Sequence, residues 1–315
     1  MRTHARQRGA ALLTAMIIVT LVASLSASMI WQQWRAIQVE TAERARAQSG
    51  WMLQGALDYA RLILREDSRG GFDDLGEPWA VPLAESRVST FLAADKDNTD
   101  TGPEAFVSGG IVDAQSRYNL RNLIDAQSQV SGDEVAVLSR LCEMVGVAPD
   151  VASRIAGGVH EALRAQVGAG GEEAPLMPRT LAQFAWFGIE ADALKRLGPY
   201  VTVLPVHTRV NINTASREVI AAVVDGLDLG SAERLVQARQ RKPFSNIEQV
   251  RQLVPDQKAD FAKRVSFQSS YFEVQGRLRL DRRVLEQRSL MHRPGANVAV
   301  VELRRDRVGG YDAVN

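Results

Sequence analysis

The sequence predicts an α+β fold: a long N-terminal helix packed on an antiparallel sheet, with a large all-helical domain inserted. Three observations carry the prediction. Ala10 to Trp31 (AALLTAMIIVTLVASLSASMIW) is 22 residues without a formal charge, and helix-forming sequence runs on from it to Leu64. Tyr271 to Arg305 alternates apolar and polar residues with a period of two. Between these ends lies a block in which apolar faces at helical spacing alternate with glycine turns. A sheet must cover one face, and the N-terminal helix is the natural cover.

The chain opens on Met1–Gly9 (MRTHARQRG), with three arginines, His4 and no acid. The uncharged run that follows exceeds the roughly 20 apolar residues that a bilayer-spanning helix needs. Its basic flank places Met1–Gly9 in the cytoplasm and the bulk of the chain outside. A cleaved secretory signal is the competing reading, with Ala23-Ser24-Leu25-Ser26-Ala27-Ser28 as its cleavage site. Against it, the apolar run outlasts the usual core of about 7–15 residues. In addition, Ala36 to Leu64 contains no proline and only two glycines. Ile37, Val39, Trp51, Leu53, Leu57, Ala60, Leu62 and Leu64 recur roughly as an amphipathic helix requires. One helix from Ala10 to Leu64 would be roughly 80 Å long at 1.5 Å per residue.

Composition excludes more than it identifies. With 38 basic and 37 acidic residues the net charge is +1, so no global field points at nucleic acid. The single cysteine, Cys142, rules out an internal disulfide; it shares helical spacing with Leu138, Leu141 and Val145 and reads as a core thiol.

After the helix, Glu66 to Gly76 (EDSRGGFDDLG) with Pro78 and Pro82 forms a surface connection. Ser86 to Leu92 is a candidate strand. The acidic loop 93–104 follows, and its Asp95, Asp97, Asn98 and Asp100 are oxygen ligands of the type calcium prefers, set against the plainer reading of a solvated turn. It lacks the glycine and glutamate that an EF-hand loop requires. Gly109-Gly110 is expected to turn one strand into the next, with Ile111 and Val112 opening a strand that carries Asp113. Asn119 and Asn122 suit bonds to local backbone groups that end an extended run.

The middle of the chain reads as helical. Ser131 caps a helix with Val135, Leu138, Leu141, Cys142 and Val145 on its apolar face. Gly146 to Pro149 turns the chain, and Asp150 caps a second helix through Leu163. GAGGEEAP (168–175) is a flexible excursion. Further helices start at Thr180 and Ala191, separated by Gly188. Val210-Asn211-Ile212-Asn213-Thr214-Ala215 precedes a helix from Arg217 to Val224, Gly226 turns, Ser231-Ala232-Glu233 opens a second helix, and a third runs to Leu253. The turns at Gly146, Gly188 and Gly226 make a loose internal repeat. The C-terminal meander puts Phe272, Val274, Leu278 and Leu280 on one face, with Arg277, Arg279, Arg282, Arg283 and Arg288 marking the solvent side.

A basic leader, Gly9, the apolar span and an unbroken amphipathic helix together resemble the N-terminus of type IV pilins and type II secretion pseudopilins. In that family a prepilin peptidase cuts after the glycine, which would make Ala10 the mature, methylated N-terminus. Most members carry a glutamate at the fifth mature position, and here that position is Thr14. The missing carboxylate, the phrase IVDAQSRYNLRNL and the helical insertion resemble the large minor pseudopilin K family, and the resemblance covers nearly the whole chain. It implies a leader (1–9), a transmembrane segment (10–31), the extracytoplasmic part of the helix (32–68), a first portion of the pilin-like domain (69–123), an inserted helical domain (124–265) and a closing β meander (266–315). It also implies a single-pass protein of the bacterial inner membrane with its bulk in the periplasm. The expected function is to cap the tip of the periplasmic pseudopilus and help initiate its assembly for protein export. The expected partners are other minor pseudopilins, the major pseudopilin, prepilin peptidase, the inner-membrane platform and secreted substrates, with no cofactor required.

The alternative is a membrane-anchored DNA-binding or DNA-uptake protein. Residues 210–254 look like a helix-hairpin-helix module, which offers backbone amides of a Gly-φ-Gly turn to phosphate. Here Asp228 stands where the second glycine belongs, so nucleic acid is not expected as a partner. No catalysis is expected either. His4, His160, His207 and His292 are scattered without metal-ligand spacing, and no phosphate loop, G-x-S-x-G or HExxH is present. Asp113 and Arg117 read as a structural strand-end pair.

Overall fold

The computed structural model describes residues 5–68, 70–88, 105–166, 175–254, 261–280, 283–295 and 300–312. Helix α1 runs unbroken from Ala5 to Asp67, as the absence of proline over that span allows. The chain divides into two compact units, Met1–Gln54 and Gly55–Asn315.

In the first unit the side chains of the apolar run, such as Leu13, Ile17, Leu21 and Leu25, are exposed all round the helix. Its hydroxyls turn inward. Thr20 donates to the Met16 carbonyl at 2.9 Å and Ser24 to the Thr20 carbonyl at 2.8 Å, so neither asks for water. After Arg35 the next charge is Glu40, with Arg44 pairing Glu40 at 2.6 Å and Arg46 pairing Glu43 at 2.7 Å.

The second unit holds a five-stranded antiparallel sheet. Its strands are β1 (Leu83–Arg87) and β2 (Ala105–Asp113), then, after four short strands, β7 (Tyr271–Leu280), β8 (Arg283–His292) and β9 (Val301–Asp312), in the order β1-β2-β7-β8-β9. The short strands pair in parallel, β3 (Tyr118–Asn119) with β4 (Val201–Thr202) and β5 (Val210–Asn211) with β6 (Val265–Ser266). Leu57, Ala60 and Leu64 of α1 pack with Trp79, Ile111, Phe272, Val274, Met291 and Val300 into one buried cluster, so the last turns of the helix do cover the sheet. Trp79 meets the Phe272 ring edge-on at 5.3 Å.

A larger core gathers residues from Tyr118 to Val265. It is built on α2 (Gly132–Met144), α3 (Asp150–Gln166), a 3-10 stretch (Leu181–Phe187), α4 (Ala191–Leu197), α5 (Arg217–Val223), α6 (Leu229–Arg241), α7 (Ile247–Leu253) and α8 (Phe261–Arg264). Ser131 caps α2 as expected, and Cys142 is fully buried. Gly146, Gly188 and Gly226 all take left-handed backbone, with φ of +72°, +73° and +73°. That shared conformation is the physical content of the loose repeat, since it is open to glycine at little cost.

Several expectations need correction. Gly109-Gly110 is no turn: β2 runs straight through both, and Gly109 lies opposite Gly276. A Cβ on Gly109 would stand 2.2 Å from the Gln275 carbonyl oxygen, so the glycine serves close strand approach. The candidate strand at 86–92 is β1, which begins earlier, at Leu83, and ends at Arg87. Helix α6 begins at Leu229, two residues before the expected opening, because Asp228 caps it. The last strand begins at Val301 and runs to Asp312. The loops 93–104 and 168–174 lie outside the described residues, as do Asp281 and Arg282 at the first turn of the meander.

Candidate functional site

Two places concentrate the functional candidates: the start of α1 and a buried polar junction in the second unit. Gly9 and Ala10 both lie within α1, and Ala10 is exposed. Four residues on, the Thr14 hydroxyl donates to the Ala10 carbonyl at 2.7 Å and lies 3.2 Å from the Ala11 carbonyl. The side chain is therefore satisfied within its own helix and presents no charge outward. Asp95, Asp97, Asn98 and Asp100 lie outside the described residues.

At the junction, Arg293 follows directly on β8. Its Nη1 donates to Asp67 Oδ2, in the last residue of α1, at 2.9 Å. Its Nη2 donates to Asp73 and, at 2.8 Å, to the Ser269 carbonyl. The guanidinium lies 4.6 Å from the centre of the Phe272 ring. Asp73 in turn accepts from the Ser269 amide at 2.7 Å. The Ser269 hydroxyl donates to Asp113 Oδ2 at 2.6 Å, the Thr214 hydroxyl does so at 2.6 Å, and Asn211 Nδ2 at 3.1 Å; the Gln115 amide meets the other oxygen at 2.7 Å. Burial pushes the Asp113 carboxyl up, against the hydroxyls of Ser269 and Thr214, which hold it down.

Glu77 borders this cluster. Its Oε2 accepts from the Trp79 indole at 2.7 Å and from the Asp74 amide at 3.0 Å. Burial nonetheless pushes its carboxyl up to about 7, with Asp67 and Asp73 adding to the rise. Asp67 is raised by burial too, with Arg293 opposing. Oxygens of Asp67, Asp73 and Glu77 lie within 4.8 Å of one another, the spacing of a cation site, but Arg293 already neutralises two of the three. Glu77 also lines an open cleft of about 580 Å³ with Phe72, Leu75, Asn213, Arg239 and Pro243. The arrangement binds elements together, joining the end of α1, β2, β5 and the residue after β8.

Asp113 and Arg117, read in sequence as one strand-end pair, go to different partners. Arg117 pairs with Glu273 at 2.8 Å, while Asp113 takes Asn211, Thr214 and Ser269. Asn119 and Asn122 also reach farther than expected. Asn119 Oδ1 accepts from the local Arg121 amide at 3.0 Å but also from Leu204 N at 3.1 Å. Asn122 exchanges two bonds with the Thr208 backbone, at 2.9 and 3.1 Å. The junction residues Asp73, Ser269 and Arg293 went unread in the sequence; the Asn-Ile-Asn-Thr run 211–214 was the signal nearest to them.

In the hairpin, Gly226 turns the chain and Asp228 takes the place a phosphate would need. Its Oδ1 accepts the Ser231 amide at 2.9 Å and its Oδ2 the Ser231 hydroxyl at 2.8 Å. These bonds hold the Asp228 carboxyl below the usual carboxylate range. The amide end of α6 is thus already capped by an anion of the chain's own.

Comparison with known proteins gives one consistent answer. Models of the type II secretion system (T2SS) protein K family match residues 116–206, for the family's first domain, and 210–271. Type II secretion system protein K of Pectobacterium carotovorum is 29% identical over 99% of both chains. That of Pseudomonas aeruginosa is 28% identical over 76% of this chain and 74% of its own. Among solved structures, a chain of the GspK-GspI-GspJ complex from the enterotoxigenic Escherichia coli type 2 secretion system superposes with a TM-score of 0.62. It is 18% identical and covers 85% of this chain and 98% of that one, so it speaks for the fold.

Proposed function

We propose that this chain, which belongs to the type II secretion system protein K family and is a minor pseudopilin, caps the tip of the periplasmic pseudopilus and helps initiate its assembly. The observation that carries the tip position is Thr14. A subunit with a neighbour ahead of it would offer a carboxylate there to the neighbour's N-terminal amine. Here the side chain closes on its own helix. The helical domain adds bulk that stacked subunits would have to accommodate, which favours an end of the fibre.

The apolar start of α1 fits a single-pass inner-membrane anchor. The proposed orientation, with the basic leader in the cytoplasm and the bulk in the periplasm, follows from the charge bias of Met1–Gly9. Prepilin peptidase would cleave after Gly9. The proposed partners are two smaller minor pseudopilins, as in the GspK-GspI-GspJ complex to which this chain is similar, and through them the major pseudopilin and the inner-membrane platform.

The test is co-expression of the full chain with the smaller minor pseudopilins of its own system, followed by purification in detergent. A stoichiometric complex is expected, and mass spectrometry of the chain should give an N-terminus at methylated Ala10. Absence of any complex would overturn the tip reading; a start near Ser28 would make the chain a freely secreted protein. Calcium at Asp95, Asp97, Asn98 and Asp100 is a separate proposal. Calcium should raise the Tm of the wild type and leave that of Asp97→Ala unmoved, and equal response of both would sink it. The DNA-uptake alternative is opposed by the Asp228 cap, and a gel shift at physiological salt separates the two readings.

A further inference from the structure

The first charges after the apolar span do not come at once. Ile30 is followed by Trp31, Gln32, Gln33, Trp34 and Arg35, and the next charged residue is Glu40. Trp31 and Trp34 stand one helical turn apart on the same side of α1, 60% and 58% exposed, in a unit where neither side chain has a core to join. The Arg35 guanidinium lies 5.8 Å from the centre of the Trp31 ring. Beyond them the surface turns to paired charges, Arg44 with Glu40 and Arg46 with Glu43. From Ala10 to Trp31 the helix rises about 32 Å. That equals the hydrocarbon thickness of a bilayer, about 30 Å, within one turn.

We infer that Trp31, Trp34 and Arg35 form an interfacial belt, seated among the phospholipid headgroups of the outer leaflet, that fixes the depth of α1 in the membrane. The chemistry suits that layer. An indole has a wide apolar face and one N–H, and is best placed where hydrocarbon ends and acceptors begin. Arg35, within cation–π reach of Trp31, brings a fixed positive charge to the level of the lipid phosphates. The belt carries particular weight at this end. If the leader is removed after Gly9, all three of its arginines go, and the inner end keeps only the Ala10 amine. The depth of the helix is then set from the Trp end. Any withdrawal of the subunit from the membrane must first lift two indoles out of the interface. The inference rests on the reading of α1 as a membrane anchor.

The test uses the full chain reconstituted in phosphatidylcholine/phosphatidylglycerol vesicles, with bromines placed either near the glycerol end or near the terminus of the acyl chains. Trp31→Phe/Trp34→Phe is subtracted from the wild type to isolate these two of the five tryptophans. Their emission should be blue-shifted and quenched about twofold more by the shallow bromines than by the deep ones. Indoles open to aqueous iodide on a vesicle-bound chain would overturn the belt and leave the anchor standing, as would stronger quenching from the deep bromines. Failure of the wild type to enter vesicles at all would overturn the anchor itself.

Discussion

Arg293 Nη1 donates to Asp67 Oδ2 at 2.9 Å, and so the residue after β8 holds the last residue of α1. The two side chains are 6% and 9% exposed, and the same guanidinium engages Asp73, which is 3% exposed. The last turn of α1 is therefore fixed by charge as well as by the apolar contacts of Leu57, Ala60 and Leu64.

Removing the guanidinium should be costly. In Arg293→Met the two carboxylates would stay buried without their cation, a loss of about 3–5 kcal/mol. Arg293→Lys keeps the charge but cannot fork between Asp67, Asp73 and the Ser269 carbonyl, so its stability should fall between those of the wild type and Arg293→Met. Urea denaturation of the full chain in detergent, followed by tryptophan fluorescence, measures both. Midpoints unchanged from the wild type would mean that the apolar contacts alone seat the helix.

Glu77 makes this region sensitive to pH. Its carboxyl sits at about 7 in the fold against 4.5 in the unfolded chain, mainly because burial penalises its charge. The folded state therefore keeps a proton that the unfolded chain has released. The stability Glu77 contributes is complete below pH 4.5 and is lost as pH rises through about 7. Glu77→Gln keeps an oxygen for the Trp79 indole and the Asp74 amide but cannot ionise. The wild type should lose stability relative to this variant between about pH 5 and 8, a window set by the two pKa values. Parallel curves for the two proteins would show that Glu77 ionises freely.

Glycines in β2 and α1 should respond in opposite directions to one added methyl. Gly109→Ala would drive its Cβ against the Gln275 carbonyl oxygen at 2.2 Å and force β2 from β7, at a cost of about 1–3 kcal/mol. Gly110→Ala meets nothing closer than Pro82 at 3.9 Å and should be near neutral. Gly50→Ala, in the interior of α1 with open space around it, should stabilise by about 0.5–1 kcal/mol. Thermal midpoints rank the three, and a tolerated Gly109→Ala would refute the close-approach explanation.

What could be read in advance follows the range of the interactions. Helix α1, the capped helices and the closing meander rest on periodicity and on caps a few residues long, and these were visible in the sequence. Gly109-Gly110 misled because a glycine pair signals a turn locally, while here its reason lies in β7, a strand distant in sequence. Asn119 and Asn122 likewise carry a local bonding habit that the fold directs to the distant Leu204 and Thr208 backbone. The junction was illegible for the same cause. Asp73, Asp113, Asn211, Ser269 and Arg293 are ordinary residues apart, and they meet through the pairing of β2 with β7, of β7 with β8 and of β5 with β6.

Asp113 is the hub of that junction, and its role can be separated from simple burial. Its carboxylate accepts from Ser269, Thr214, Asn211 and the Gln115 amide, so each of these neighbours is a donor. Asp113→Asn would turn an NH2 group toward donors that cannot accept it all. Leaving such groups unpaired in a buried site costs about 1–3 kcal/mol. Thr214→Val alone removes one neutral partner of a charged group, at about 1–2 kcal/mol. In the Asp113→Asn background that second change should cost much less, because the hydroxyl has already lost its charged acceptor. A double-mutant cycle from urea midpoints reads the coupling directly. Additive losses would mean that Thr214 and Asp113 are adjacent without being energetically joined, and the polar junction would then be packing in which hydrogen bonds are incidental.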